Sequence, residues 1–212
     1  MKITVLGATG GTGQHLVRQA IAAGHHVTAV VRDPARLPVE ADPRLEIVVA
    51  DALDPNAIGA AVTGRDAVVD TLGPRPKSDP TVCSQGAAAV VAAMAVNNPA
   101  ARLIVVTGNG HVVDPGDGPL TRYILKPLIG STVLKKQFAD FARTERIVFD
   151  SGLHWTVMRP PSLNDGKRKA YRTAVDRNVR GGLQLSRADL ADAIMVALGD
   201  PRTEGHTIGL GY

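Results

Sequence analysis

Aromatic side chains are scarce in this chain, making up 3% of its 212 residues. A core for a chain of this length must therefore be filled mainly by Val, Leu, Ile and Ala. There is one cysteine, Cys83. That excludes an internal disulfide framework and suits a reducing, cytoplasmic setting. No apolar run approaches the length of a membrane span. The N-terminal apolar segment is five residues long and runs straight into glycines, unlike a signal peptide. No His, Cys and Asp residues recur at metal-ligand spacing, so no metal is expected. A strong charge imbalance is also missing, with 24 Lys and Arg against 20 Asp and Glu. The one dense basic run, GKRKAYR at 166–172, is too small for a nucleic-acid footprint and reads as a solvated loop edge. With no repeat, linker or low-complexity tract, the expectation is one domain over 1–212.

What is present is concentrated at the start, in MKITVLGATGGTGQHLVRQAIAAGHHVTAVVRD. This reads as a strand (3–6), a glycine turn (7–13), a helix (11–23) and a second strand (27–31). Gly7, Gly10 and Gly13 fall where the first strand hands over to the helix. Gly7 permits a tight turn, Gly10 lets backbone approach a pyrophosphate, and Gly13 lets the helix pack on the strand. The free N–H groups and positive dipole end of the helix then face the phosphates. A glycine triplet alone is weak evidence, but this strand–helix–strand context makes it a dinucleotide site.

Further strands are expected at 44–50, 67–71, 103–107 and 153–158, with shorter ones at 170–175 and 207–210. Helices are expected at about 55–62, 81–96 and 131–150, and after Ser186, where Asp189 completes a start signal and Leu190, Ile194 and Leu198 share a face. Residues 159–168 read as a loop. The strands show little alternation, as parallel strands buried on both faces do. The fold class is therefore α/β: a Rossmann-type, doubly wound, mainly parallel sheet with helices on both faces, in a single domain. The substrate pocket falls to the C-terminal loops.

The second strand ends Val30-Val31-Arg32-Asp33. An acid at this place holds the ribose hydroxyls of NAD, whereas an arginine suits the 2′-phosphate of NADP. Arg32 comes first and offers a bidentate fork, with Arg36 as a second cation. NADP(H) is the expected cofactor. Asp51, directly after the third strand, reads equally as a ligand of the adenine amino group or as a turn residue.

The segments GATGGTG, VVRDPARLP, TLGPRP and SGLHWTVMRPPSL resemble the atypical short-chain dehydrogenase/reductase group. Within it they are similar to the NAD(P)H-binding, NmrA-like branch that includes the biliverdin-IXβ/flavin reductase family. The resemblance implies that Thr9, Gly10, Gly11, Thr12 and Gly13 surround the pyrophosphate and that Arg32 takes the 2′-phosphate. It implies that Asp51 and Ala52 border the adenine. Leu72, Gly73 and Arg75 would lie beside the cofactor, with Thr107 near the nicotinamide and Pro160 and Pro161 at its carboxamide. The family is often monomeric, so a monomer or small homo-oligomer is expected.

Departures from the pattern bear on the chemistry. The Tyr-x-x-x-Lys pair of the wider group is absent, since Lys126 stands one residue too close to Tyr123. The family's Thr-Ser pair after strand five is here Thr107-Gly108, and Ser162 replaces a histidine after the double proline. A site without a strong acid suits hydride transfer to a flat conjugated acceptor, because stacking the acceptor on the nicotinamide is the main task. Thr107, Asn109, His111 and Ser162 are the polar candidates, with His111 a proton donor or a merely exposed loop histidine. The expected function is NADPH-dependent reduction of a flavin, quinone or bilin-like small molecule, with flavin as substrate rather than bound group. No nucleic-acid or membrane partner is expected. The alternative is a non-catalytic NADP(H) sensor of the NmrA-like type.

Overall fold

The computed structural model describes residues 1–74, 79–112 and 135–212. Eight strands form one sheet in the order β3-β2-β1-β4-β5-β6-β10-β8. They are β1 (Lys2–Leu6), β2 (His26–Val31), β3 (Leu45–Val49), β4 (Ala67–Asp70), β5 (Arg102–Val106), β6 (His154–Arg159), β8 (Arg172–Val175) and β10 (His206–Gly211). All neighbours run parallel except β8, which pairs antiparallel with β10. The chain steps outward from β1 through β2 to β3, then returns to β1's other side and builds β4, β5 and β6. The switch point therefore lies between the C-terminal ends of β1 and β4, where such sheets bind ligands.

The helices are α1 (Gly11–Ala22), α2 (Gly59–Val62), α3 (Val82–Asn97), α4 (Lys135–Phe149) and α5 (Arg187–Gly199). Strand side chains alternate between two cores. Ile3, Val5, Val69, Ile104 and Met158 meet Leu16, Val17 and Ile21 of α1 and Leu190 and Ile194 of α5. Leu6, Val68, Leu103, Val105 and Val157 meet Ile58, Val90 and Met94, with Val148 of α4, on the opposite face. Parallel strands covered twice leave no polar face, which is why their sequences are apolar throughout. Each large aliphatic side chain withdrawn fully from water contributes about 1.5–3 kcal/mol, and many small contributions replace the missing aromatics.

The start of α5 is as expected. The Ser186 hydroxyl accepts from the Asp189 backbone N–H at 3.0 Å, which stops fraying. The start of α3 is solved differently. Thr81 makes no side-chain cap. Instead Asp140 of α4 accepts from the N–H groups of Cys83 (3.1 Å) and Ser84 (3.3 Å) and from the Ser84 hydroxyl. A carboxylate from the neighbouring helix serves the orphan donors and the dipole together.

Two elements depart from the sequence reading. The expected loop at 159–168 contains β7 (Ser162–Asn164), which pairs in parallel with an unforeseen strand, β9 (Gln184–Ser186). Both are three residues long, too short to print a periodicity. The helix expected over 55–62 has a regular part of four residues, preceded by turns. Among the described residues no helix is long and apolar enough to cross a membrane.

Candidate functional site

The glycine turn sits at the switch point. Gly7 has φ +74°, and a Cβ there would lie 2.8 Å from the Thr71 carbonyl carbon and 2.9 Å from the Leu72 nitrogen. Only glycine lets the end of β1 pass the end of β4 so closely. A Cβ on Gly13 would meet the Gly7 oxygen at 2.3 Å and the Ala8 Cα at 2.8 Å, both backbone atoms that cannot rotate away. Gly10 is the residue before α1, and its N–H returns to the Gly7 carbonyl at 2.8 Å. No side chain caps α1, and its first turn carries no acid. The N–H groups of Gly11, Thr12 and Gly13 are the helix's first, which have no acceptor within the helix. An uncapped N-terminus behind backbone bare of side chains fits a diphosphate.

At the adenosine end, Arg32 follows β2 directly and is exposed, with no ion-pair partner among the described residues. Asp33 does not neutralise it. Its carboxylate accepts from the Ala35 N–H at 3.1 Å and caps the short 3-10 turn Pro34–Arg36. Asp51 likewise accepts from the Leu53 N–H at 3.1 Å. That realises its turn role and leaves its second oxygen for a ligand. Ala52 is buried in the core beneath, so only its backbone faces outward. The Leu72 N–H is held by the Asp70 carboxylate at 2.8 Å, and Gly73 is exposed. Arg75, Tyr123 and Lys126 lie outside the described residues.

Beyond the ends of β5 and β6 lies a buried charged network. Glu145 of α4 accepts from the Thr107 hydroxyl at 2.9 Å and from Arg159 through Nε at 2.8 Å and Nη2 at 2.6 Å. His111 Nε2 stands 3.1 Å from the same carboxylate, both side chains being 5% exposed. Burial alone would raise the Glu145 pKa. Hydrogen bonds and positive charge from His111 and Arg159 outweigh it and hold the carboxyl down to about 2. His111 is thus not exposed, and both its ring nitrogens are buried without a partner at hydrogen-bond geometry, Nε2 meeting Glu145 as an ion-pair contact.

The loop carrying these groups is seated on phenylalanines. A Cβ on Gly108 would touch Phe141 at 3.0 Å, and one on Gly110 would collide with Phe138 at 2.4 Å. The His111 ring meets Phe141 edge-on at 6.0 Å between centroids. Gly-Asn-Gly-His is therefore the sequence that lies flat on two rings of α4. A serine at 108 would press its Cβ against the Phe141 ring at 3.0 Å, so the ring would have to give way by a few tenths of an ångström. The Asn109 N–H donates to the Pro160 carbonyl at 2.9 Å, which ties the β5 and β6 loops together, with Pro160 and Pro161 buried. Ser162 is exposed on β7. Sequence reasoning missed Glu145, Arg159, Phe138 and Phe141. The available signal was a Glu with a Phe four residues before it on a helix facing strand ends.

Other candidates go elsewhere. Cys83 is buried in α3, and burial together with Asp70 and Asp140 pushes its thiol well above the ordinary range. Asp70, 2% exposed at the end of β4, is pushed by burial to about 7, against one favourable bond from the Leu72 N–H. His154 pairs with Glu204 and His25 with the N-terminal amine, both at the N-terminal ends of strands, opposite the site. The basic run is spent locally. Arg168 pairs with Asp192, Lys169 lies over the Tyr212 ring at 3.7 Å, and Arg172 donates to the Tyr212 carbonyl at 2.6 Å.

Comparison with known proteins gives the family and the fold. A family described as NAD(P)H-binding matches residues 7–201. A Bacillus subtilis protein, YwnB, itself uncharacterized, is 28% identical over 208 residues, spanning 95% of this chain and 93% of that one. A short-chain dehydrogenase/reductase from Veillonella parvula, solved in complex with NADP, superposes with a TM-score of 0.83 at 21% identity, covering 100% of this chain and 94% of that one. A proposed NADH-flavin reductase from Streptococcus pneumoniae gives a TM-score of 0.74 at 23% identity, covering 100% and 99%. The chain has a Rossmann fold and belongs to the NAD(P)H-binding family.

Proposed function

We propose that the protein is an NADPH-dependent reductase that passes hydride from the nicotinamide to a flat conjugated acceptor such as a flavin, a quinone or a bilin-like molecule. The cofactor would lie across the switch point. Thr9, Gly10, Gly11, Thr12 and Gly13 would surround its diphosphate and Arg32 its 2′-phosphate. Asp51 and Ala52 would border the adenine, Leu72, Gly73 and Arg75 would lie beside the cofactor, and Thr107, Pro160 and Pro161 would border the nicotinamide. The observation that carries this reading is the wall beyond β5. Its polar groups, Thr107 and His111, face Glu145, and the loop between them, Gly108-Asn109-Gly110, lies against Phe138 and Phe141. Such a wall suits a planar acceptor placed by shape, and the Tyr-x-x-x-Lys acid of carbonyl chemistry is absent from the sequence. The bound cofactor would supply the hydride. The chain's own residues orient the two rings and exclude water, with His111, set by Glu145, as the proton donor if the acceptor needs one. Ser162, exposed nearby, would meet the acceptor's polar edge. A flavin would be a substrate, taken up and released.

The engagement of Thr107 and His111 in a structural network also favours a second reading, a NADP(H)-sensing regulator of the NmrA-like type that binds without turnover. The test is NADPH oxidation followed by nicotinamide absorbance with FMN and then a quinone. Turnover above the free-acceptor background supports the reductase. Tight NADPH binding with no turnover on any flat acceptor sinks it in favour of the sensor.

A further inference from the structure

The glycine turn holds one glycine too many. Gly7, Gly10 and Gly13 answer for the turn, the phosphate approach and the helix packing, yet Gly11 is also bare. Its reason is a side chain from the far end of the chain. A Cβ on Gly11 would lie 2.5 Å from Cδ and 2.9 Å from Nε of Arg187, the first residue of α5. The arginine stem thus crosses the first turn of α1. Its side chain is 31% exposed, and the guanidinium is held by Asp165 through Nη1 at 2.7 Å. Asp165 follows β7 and is 80% exposed. The α1–α5 contact that places the stem is fixed independently, because Gln19 of α1 donates to the Ala188 carbonyl at 2.9 Å.

We propose that Arg187 is a diphosphate clamp: a cation from α5 that closes over the glycine turn and, when a dinucleotide is present, exchanges Asp165 for phosphate oxygens. This rests on the reading that the diphosphate sits at the glycine turn. A guanidinium already lying over that backbone presents a planar fork to an oxyanion at little further conformational cost. Asp165 is a weak competitor, since an exposed ion pair holds its partner lightly. The diphosphate is common to NADH and NADPH, so the clamp adds affinity without selectivity, which it leaves to Arg32. It also links the acceptor side to the cofactor, because β7 and β9 lead directly into Asp165 and Arg187.

The experiment titrates NADPH, NADH and adenosine 2′-monophosphate, which lacks a diphosphate, into wild type, Arg187→Ala, Arg187→Lys, Gly11→Ala and Asp165→Asn. Unfolding curves of the unliganded proteins run alongside. Arg187→Ala is expected to weaken NADPH and NADH by the same factor, about tenfold or more, and to leave the monophosphate unchanged. Arg187→Lys recovers part of that loss. Gly11→Ala weakens both dinucleotides and adds nothing on top of Arg187→Ala. Asp165→Asn keeps the arginine and tightens both dinucleotides about two- to fivefold. Equal affinities in wild type, Arg187→Ala and Asp165→Asn overturn the clamp while leaving the dinucleotide site intact. A loss confined to NADPH makes Arg187 a 2′-phosphate ligand and also overturns it. Wild-type protein that binds neither dinucleotide overturns the clamp and the site together.

Discussion

The two ends of the strand crevice are built from opposite materials. At the ends of β1 and β4 the proposed cofactor site is backbone, with glycines, an uncapped helix and exposed cations at its rim. At the ends of β5 and β6 the proposed acceptor site is side chain, with a carboxylate, a guanidinium, an imidazole and two phenyl rings packed together. Backbone is an accurate way to bind a constant group, because a diphosphate is the same in every dinucleotide. A wall of interlocked side chains can be rebuilt residue by residue, as a site for a variable acceptor requires. The difference teaches where each end is vulnerable. The cofactor end fails when atoms are added, and the acceptor end fails when charges are removed.

The largest effect is expected at the acceptor end. Glu145→Ala leaves Arg159, 11% exposed, without its counter-charge, and a buried ion pair broken on one side costs about 3–5 kcal/mol. Chemical denaturation would measure it, and a loss below 1 kcal/mol would mean the network is solvated. Because the carboxyl is held at about 2 against an ordinary 4.5, its contribution is present above pH 4.5 and lost as pH falls toward 2.

Next comes an added atom at the cofactor end. The Gly13→Ala methyl would collide with backbone, and NADPH affinity is expected to fall about a hundredfold or more, near 3 kcal/mol. Affinity kept within threefold would show that the turn is not the diphosphate site.

Asp70 lies between the two regions and has the reverse pH sign. Its carboxyl is raised from 3.8 to about 7, so its contribution is full below 3.8 and lost as pH rises to about 7. Asp70→Asn should flatten that slope and stabilise the protein at pH 8. Parallel stability–pH curves for variant and wild type would refute the burial argument. The smallest effect sharpens the contrast at the rim. Arg32→Ala should weaken NADPH about tenfold with little change for NADH, and equal losses would remove Arg32 from the 2′-phosphate.

The same contrast explains what was legible in the sequence. Backbone sites leave local marks, because a glycine at Gly7 or Gly13 is demanded by atoms a few residues away, or by a strand whose place the fold class already implies. Regular elements such as α1 and β5 were readable for a similar reason, each repeating one preference over several residues. The acceptor wall leaves no local mark. Glu145, Arg159 and Thr107 meet only because α4, β6 and β5 pack together, and nothing in Gly108-Asn109-Gly110 announces that Phe138 and Phe141 lie beneath. For His111 the usual expectation of exposure failed, because tertiary packing decides burial for a loop residue. The fourth glycine was the missed local clue, since its reason stands 176 positions away at Arg187.

The most direct measurement is a single turnover in which protein saturated with NADPH is mixed rapidly with FMN, using NADPH deuterated in turn on each face of nicotinamide C4. Direct hydride transfer in a shaped site predicts absorbance loss faster than in the protein-free mixture, and slowed by deuterium on one face only. Saturated protein that reacts no faster than free NADPH, or that shows no preference between the faces, would contradict it.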